Sequence, residues 1–104
     1  RGRMGTLYYG GSGAPIHIED RALAHLKIVI TTKLRRGESF QMSWTHGAGR
    51  RPGRSAIWLH PAVPLRFVFD APEPPDLDRQ HLVNLGDSAN ATGVIHLDAD
   101  DVRA

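Results

Sequence analysis

Apolar and polar positions along this chain follow two different periods. Residues 39–45 alternate with period two, placing Phe40, Met42 and Trp44 on one face and Gln41, Ser43 and Thr45 on the other, the mark of a half-buried strand. The same period recurs in residues 55–60, where Ile57 and Leu59 oppose Ala56, Trp58 and His60. It returns in residues 65–70, where Leu65, Phe67 and Phe69 oppose Arg66 and Val68. Three such segments joined by loops predict an antiparallel meander. Residues 6–9 are β-prone and run into Gly10, Gly11, Ser12 and Gly13, after which Ile16, His17 and Ile18 alternate; the pair predicts a hairpin with a loose glycine turn. Ile95 and Leu97 share a face of a last strand over residues 94–97.

Two stretches carry the helical period instead. Residues 21–36 contain neither Pro nor Gly and place Leu23, Leu26, Ile30 and Leu34 on one stripe, with Ala22 and Val29 beside it. Asp20 is the expected N-cap and Gly37 the expected C-cap, and Lys33, Arg35 and Arg36 suit the negative end of the helix dipole. The β-branched patch over residues 28–32 conflicts with a helix, but length, caps and periodicity outweigh it. After the rigid run of Pro72, Pro74 and Pro75, Asp76 is expected to cap a second helix carrying Leu77, Leu82, Leu85 and Ala89, weakened at Gly86 and ended over residues 90–93. The order ββαβββαβ predicts a single α+β domain over residues 4–97, a mostly antiparallel sheet with two helices packed on it, followed by a fraying acidic tail over residues 98–104. Arg1, Gly2 and Arg3 precede Met4 and read as an expression remnant or an overcalled start, so no fold argument rests on them.

Composition mainly excludes. A chain of 104 residues supports one modest core, and zero cysteines remove disulfide scaffolds, thiolate metal sites and cysteine nucleophiles together. No apolar run approaches the length of a membrane helix and no leader pattern opens the chain, so a soluble cytoplasmic protein without membrane contact is expected. Charge is more informative by half. The net +2 conceals ten cations against three acids in residues 1–54, a balance of +7, and three cations against eight acids in residues 55–104, a balance of −5. Such asymmetry points to an anionic partner or to mutual neutralisation within the fold. Eleven of the thirteen cations are Arg, which suits planar phosphate recognition but follows equally from a composition rich in Ala, Gly, Pro and Arg.

Several blocks together resemble a known group of sequences. Met4, Gly5, Thr6 and Leu7 with Tyr9 and Gly10; Asp20, Arg21, Leu23, Ala24, His25 and Leu26 leading to Lys33, Leu34, Arg35, Arg36, Gly37, Glu38, Ser39 and Phe40; Trp58, Leu59, His60 and Pro61 with Pro64 and Leu65; and Ser88, Ala89 and Asn90 with Gly93 are similar to a family of small actinobacterial proteins. The resemblance covers nearly the whole chain after Arg3. Members are often labelled ATP-dependent DNA ligases, and the label implies a lysyl-adenylate chemistry that can be tested on the residues. Such a ligase needs a K-x-D-G motif whose lysine attacks the α-phosphate. Lys27 is followed by Ile28, Val29 and Ile30, and Lys33 by Leu34, Arg35 and Arg36, with no acid at the required offset. Autonomous ligase activity is therefore not expected, whereas an accessory role in a DNA transaction stays open.

Other candidate chemistry is sparse. The glycines at 10, 11 and 13 precede a strand rather than a helix and lack a following Gly-Lys-Ser/Thr, so a turn is expected there rather than a phosphate cradle. Asp76 and Asp78 suit a helix start. His96, Asp98 and Asp100 would share one face if the last strand continued, but one strand face closes no metal site, and neither metal nor cofactor is assigned. His25 and His60 are expected to be structural hydrogen-bonding residues. The segment over residues 46–54 joins two strands with three glycines and three arginines and no acid. Arg50, Arg51 and Arg54 are accordingly candidate phosphate-backbone contacts, with Lys33, Arg35 and Arg36 as a supporting patch at the helix end. The competing reading of this segment is a solvated loop that keeps a hairpin soluble. Two functions are expected from these features: a nucleic-acid module for DNA or RNA, or a protein-interaction module that meets an acidic partner or a second copy through its oppositely charged halves. No catalytic constellation supports an enzyme.

Overall fold

A helix forms over α1 (Asp20–Arg35) because its apolar stripe is buried on two sides. Leu23, Leu26 and Ile30 are all nearly inaccessible, while the β-branched Thr31 and Thr32 face solvent and Ile28 is partly exposed. Burying each large aliphatic chain contributes about 1.5–3 kcal/mol, against the few tenths of a kcal/mol that a β-branched residue loses in a helix, so the stripe decides. Both ends differ by one position from expectation. Glu19 is the N-cap, its carboxylate accepting from the backbone N–H groups of Arg21 and Ala22 at 3.1 and 3.0 Å. Asp20 instead turns inward, where its carboxylate accepts from the N–H groups of Asp70 and Ala71 at 3.1 and 2.9 Å. At the other end Arg36 is the cap, and Gly37 follows it with φ +73°. The N–H groups of Gly37 and Glu38 return to the carbonyls of Leu34 and Lys33, the paired closure that a left-handed glycine permits.

The computed structural model describes residues 3–11 and 13–103; Arg1, Gly2 and Ser12, which belong to the start and the glycine turn read above, lie outside them, as does Ala104. Two sheets share the core. In the first, β5 (Leu65–Val68), β1 (Met4–Tyr9), β2 (Ala14–Glu19) and β7 (Val102–Arg103) lie in that order, all neighbours antiparallel. In the second, β4 (Arg54–Leu59) pairs antiparallel with β3 (Phe40–Thr45), and β6 (Val94–His96) pairs with β3 in parallel. Leu7, Ile16 and Ile18 from one sheet and Phe40, Met42, Leu59 and Ile95 from the other meet α1 in one apolar cluster. The expected α+β domain with mostly antiparallel pairing and two helices is therefore present, divided into two sheets.

The meander is not. After β4 the chain leaves its neighbour, and β5 pairs with β1 in the other sheet. Pro61 and Pro64 bound the connection and have no N–H to offer a ladder, while the Val63 N–H closes a turn on the His60 carbonyl at 2.9 Å. The Pro64 carbonyl then accepts from the Gly10 N–H at 3.0 Å, at the end of the β1–β5 pairing.

The second helix, α2 (Arg79–Thr92), begins later than expected. Asp78, not Asp76, is the N-cap, accepting from the N–H groups of Gln80 and His81, and Leu77 stays partly exposed before the helix. His25 Nε2 accepts from the Asp78 N–H near the start of both helices, and Lys33 Nζ reaches Asn90 near the end of both. The helices thus run side by side in the same sense, which returns the chain to lay β6 parallel to β3. Residues 98–103 of the acidic segment are folded onto the domain. The Asp98 carboxylate accepts from the Asp100 N–H, turning residues 99–101 into a 3-10 turn, and β7 then seals the β2 edge with Val102 buried. The cap, the strand pairing and the buried Val102 together hold a segment that composition marks as a solvated tail. No helix among the described residues is long and apolar enough to cross a membrane.

Candidate functional site

The basic segment is the tip of the β3–β4 hairpin, whose strands pair from Phe40 with Leu59 to Thr45 with Arg54. Its base is closed by the His46 N–H on the Gly53 carbonyl at 2.9 Å, and a second turn joins the Arg50 N–H to the Gly47 carbonyl at 3.1 Å. The His46 ring braces the loop from within. Its Nδ1 donates to the Arg51 carbonyl at 2.9 Å, and its Nε2 lies 2.8 Å from the Ser55 hydroxyl. Gly53 sits over this ring with φ +143°, a conformation that side chains rarely adopt. Arg50, Arg51 and Arg54 are exposed, and among the described residues no carboxylate stands within 4.0 Å of them. A cleft of about 330 Å3 opens beneath, lined by Trp44, His46, Gly47, Arg50, Arg51 and Val102.

The helix-end cations do not join this site. Lys33 is 8% exposed, because position 33 lies three residues beyond Ile30 on the buried stripe. Its Nζ donates to Asn90 Oδ1 at 2.7 Å and pairs with Glu38 at 3.1 Å, so its charge ties α1 to α2 and to the following turn. Arg35 and Arg36 are exposed but stand at the other end of the hairpin. Phe40 pairs with Leu59 near the end of α1, whereas Thr45 pairs with Arg54 at the loop. Six residues of strand separate the two ends by about 17 Å. Chain order already implies this separation, since residues 36–39 lead from the helix into the start of β3 and the arginine loop follows the other end of that strand.

The loop's neighbour is acidic. A Cβ on Gly47 would come 3.2 Å from the Ala99 carbonyl, so the 3-10 turn bearing Asp100 and Asp101 lies against the hairpin base. On the other side of this turn a smaller cleft of about 190 Å3 gathers His81, His96, Asp98 and Asp101 over an apolar floor that includes Ile18, Leu85 and Val102. Burial pushes the Asp101 carboxyl above the ordinary aspartate value, and the carboxylates of Asp98, Glu19 and Asp100 push it further, with His81 opposing. His81 and Asp101 escape a sequence reading because they come from the first turn of α2 and from a segment that looks solvated. His96, Asp98 and Asp100 do not share a strand face: β6 ends at His96, whose Nδ1 lies 2.9 Å from the Ser43 hydroxyl, and Asp98 caps the next turn. Among the described residues no three His, Asp or Glu side chains are arranged to hold a metal.

The other histidines singled out in the sequence are structural. His25 is 1% exposed with both ring nitrogens bonded: Nδ1 donates to the Arg21 carbonyl at 2.7 Å and Nε2 accepts from the Asp78 N–H at 2.8 Å. His60 Nδ1 accepts from the Ala62 N–H at 3.0 Å.

A family model described as Domain of unknown function (DUF7882) matches residues 4–100. The chain belongs to that family. No similarity to a curated protein or to a solved structure was found. The DUF7882 match extends from the first residue of β1 into the acidic 3-10 turn, and so takes in the whole arginine hairpin and both clefts except Asp101 and Val102.

Proposed function

We propose that this domain is a nucleic-acid-associated module that grips the phosphate backbone of DNA or RNA with Arg50, Arg51 and Arg54. The observation that carries the reading is the hairpin tip itself, where three exposed guanidinium groups stand free of described carboxylates on a loop braced by His46. Guanidinium groups donate in a fork that matches phosphate oxygens, and a braced loop loses less freedom on binding than a slack one. Arg35 and Arg36 belong to a separate surface and are not part of this grip. We place the protein in the cytoplasm, where both polyanions are accessible and a cysteine-free chain meets no oxidative requirement.

Fluorescence anisotropy of a labelled oligonucleotide, titrated across salt concentrations, tests the reading. Affinity should fall steeply with salt, and replacing all three loop arginines by alanine should reduce the slope of log K against log salt by about 2 on a single strand. A salt-insensitive affinity, or a triple variant that binds like the parent, overturns it.

One observation favours a second reading. The acidic 3-10 turn borders the basic hairpin without any ion pair between described residues, leaving both charges available to a second copy or an acidic protein. Light scattering decides: a dimer that dissociates at high salt without nucleic acid supports it, and a monomer at low salt removes the self-associating form.

A further inference from the structure

The geometry points to the outer face of the β4–β3–β6 sheet as a platform for single-stranded nucleic acid, with Trp58 stacking on one base; the inference rests on the backbone-gripping role of the loop arginines. Trp58 is 54% exposed, the largest such value among the exposed large hydrophobic side chains. It lies on the sheet face away from the core, because Ile57 and Leu59 on the same strand point inward. Arg54 occupies the same face four residues earlier, about 13 Å along the strand. Between them stands Ala56, which pairs with Ser43, so only small side chains lie between the indole and the guanidinium. The outward positions of β3 are Gln41, Ser43 and Thr45, and no residue of β3 or β4 is acidic.

That face therefore has a flat floor, an aromatic ring at one end and Arg54 at the other, with Arg50 and Arg51 beyond it on the hairpin tip. A single strand lying along β4 would place phosphates at the loop and a base on Trp58, while Gln41, directly across from Trp58, offers an amide to the base edge. A duplex keeps its bases stacked inside and cannot use an indole on a flat sheet. The platform is also held in place. The Tyr9 hydroxyl donates to the Trp58 carbonyl, tying this strand edge to the other sheet beneath the exposed ring.

The pairing of β4 shows where a competing occupant would sit. The His46 N–H bonds to the Gly53 carbonyl, so in alternation the backbone groups of Arg54, Ala56 and Trp58 face away from β3. A second copy could add a strand at this edge and cover the same tryptophan. The Tyr9 hydroxyl already takes up the Trp58 carbonyl on this edge, and Arg54, the only charge on β4, favours a polyanion over a second copy of the same strand.

The test uses a fluorescein-labelled twelve-nucleotide thymidine strand and a duplex of the same length, with the parent protein, Trp58→Ala, Trp58→Phe and the triple loop variant. The parent should bind the single strand more tightly than the duplex. Trp58→Ala should weaken single-strand binding by roughly 5- to 140-fold with an unchanged salt slope, and Trp58→Phe should retain most of the affinity. Trp58 emission should be quenched by the strand, and Trp58→Phe, whose one remaining indole is Trp44, should lose that quenching. If Trp58→Ala binds like the parent while the loop variant fails, the platform is overturned and the arginine grip survives. If the parent binds neither probe at low salt, both are overturned. A dimer of the parent that Trp58→Ala converts to monomer assigns the face to self-association instead. Circular dichroism melting of each variant separates loss of binding from loss of fold.

Discussion

Gly5 lies where three elements converge, and replacing it by alanine should be among the most damaging single changes available to this fold. A Cβ there would stand 2.7 Å from the Val68 carbonyl oxygen, 2.8 Å from Asp20 Oδ1 and 2.8 Å from Leu23 Cδ2. Two of these neighbours cannot yield easily. The carbonyl belongs to β5 backbone paired with β1, and the carboxylate accepts from the N–H groups of Asp70 and Ala71. Forcing a methyl into packed surroundings costs about 1–3 kcal/mol, and disturbing one hydrogen bond to a charged group adds about 1.5–3 kcal/mol. Gly5→Ala should therefore destabilise by about 3–5 kcal/mol, a large part of the roughly 5–15 kcal/mol that such a domain possesses. Gly86 supplies the control. It lies within α2 with open space where its Cβ would go, so Gly86→Ala should stabilise by about 1 kcal/mol through helix propensity alone. Urea denaturation followed by circular dichroism at 222 nm measures both. The midpoints should move in opposite directions, and a Gly5→Ala protein within about 0.5 kcal/mol of the parent would refute the close approach of β1, β5 and α1 on which the first sheet depends.

Three further expectations follow from named contacts. Truncating His25 to alanine leaves the Asp78 N–H without its acceptor and unties the starts of the two helices, so stability should drop by about 2–4 kcal/mol in a thermal melt; an unchanged melting temperature would mean that the His25–Asp78 bond is dispensable. Asp101→Asn should raise the urea midpoint at neutral pH. The folded state holds the Asp101 proton more tightly than the unfolded chain, so its stabilising contribution is present below the ordinary aspartate range and lost as pH rises through the raised folded value. The advantage of the asparagine should thus disappear in acid, and a benefit that persists equally at low pH would contradict the assignment. Finally, Lys33→Ala should lower stability while leaving oligonucleotide affinity unchanged, and Arg35→Ala with Arg36→Ala should alter neither the affinity nor its salt slope. A reduced slope in either protein would place the helix end within the nucleic-acid grip.

Local pattern alone determined most of the elements of this protein. The period-two faces of residues 39–45 and 55–60, the stripe of Leu23, Leu26 and Ile30, and Gly37 beyond the helix end all act within a few residues of one another, so their consequences are readable along the chain. The arginine hairpin was legible for the same reason. What only the tertiary structure decided depends on contacts between distant positions. Whether Asp20 caps α1 or turns inward depends on Asp70 and Ala71, fifty residues away, and whether Lys33 serves an anion or a neighbouring helix depends on Asn90. β5 could extend a meander or cross to β1, and its alternation is the same in either place; prolines in the connection and the open β1 edge settle it. The acidic C-terminal segment looks solvated by composition because charge counts do not register a single Val102 seated against β2. Periodicity tells which face of a strand or helix is buried, but not which partner buries it, and for this chain that second question decides what the charges of Asp20 and Lys33 serve.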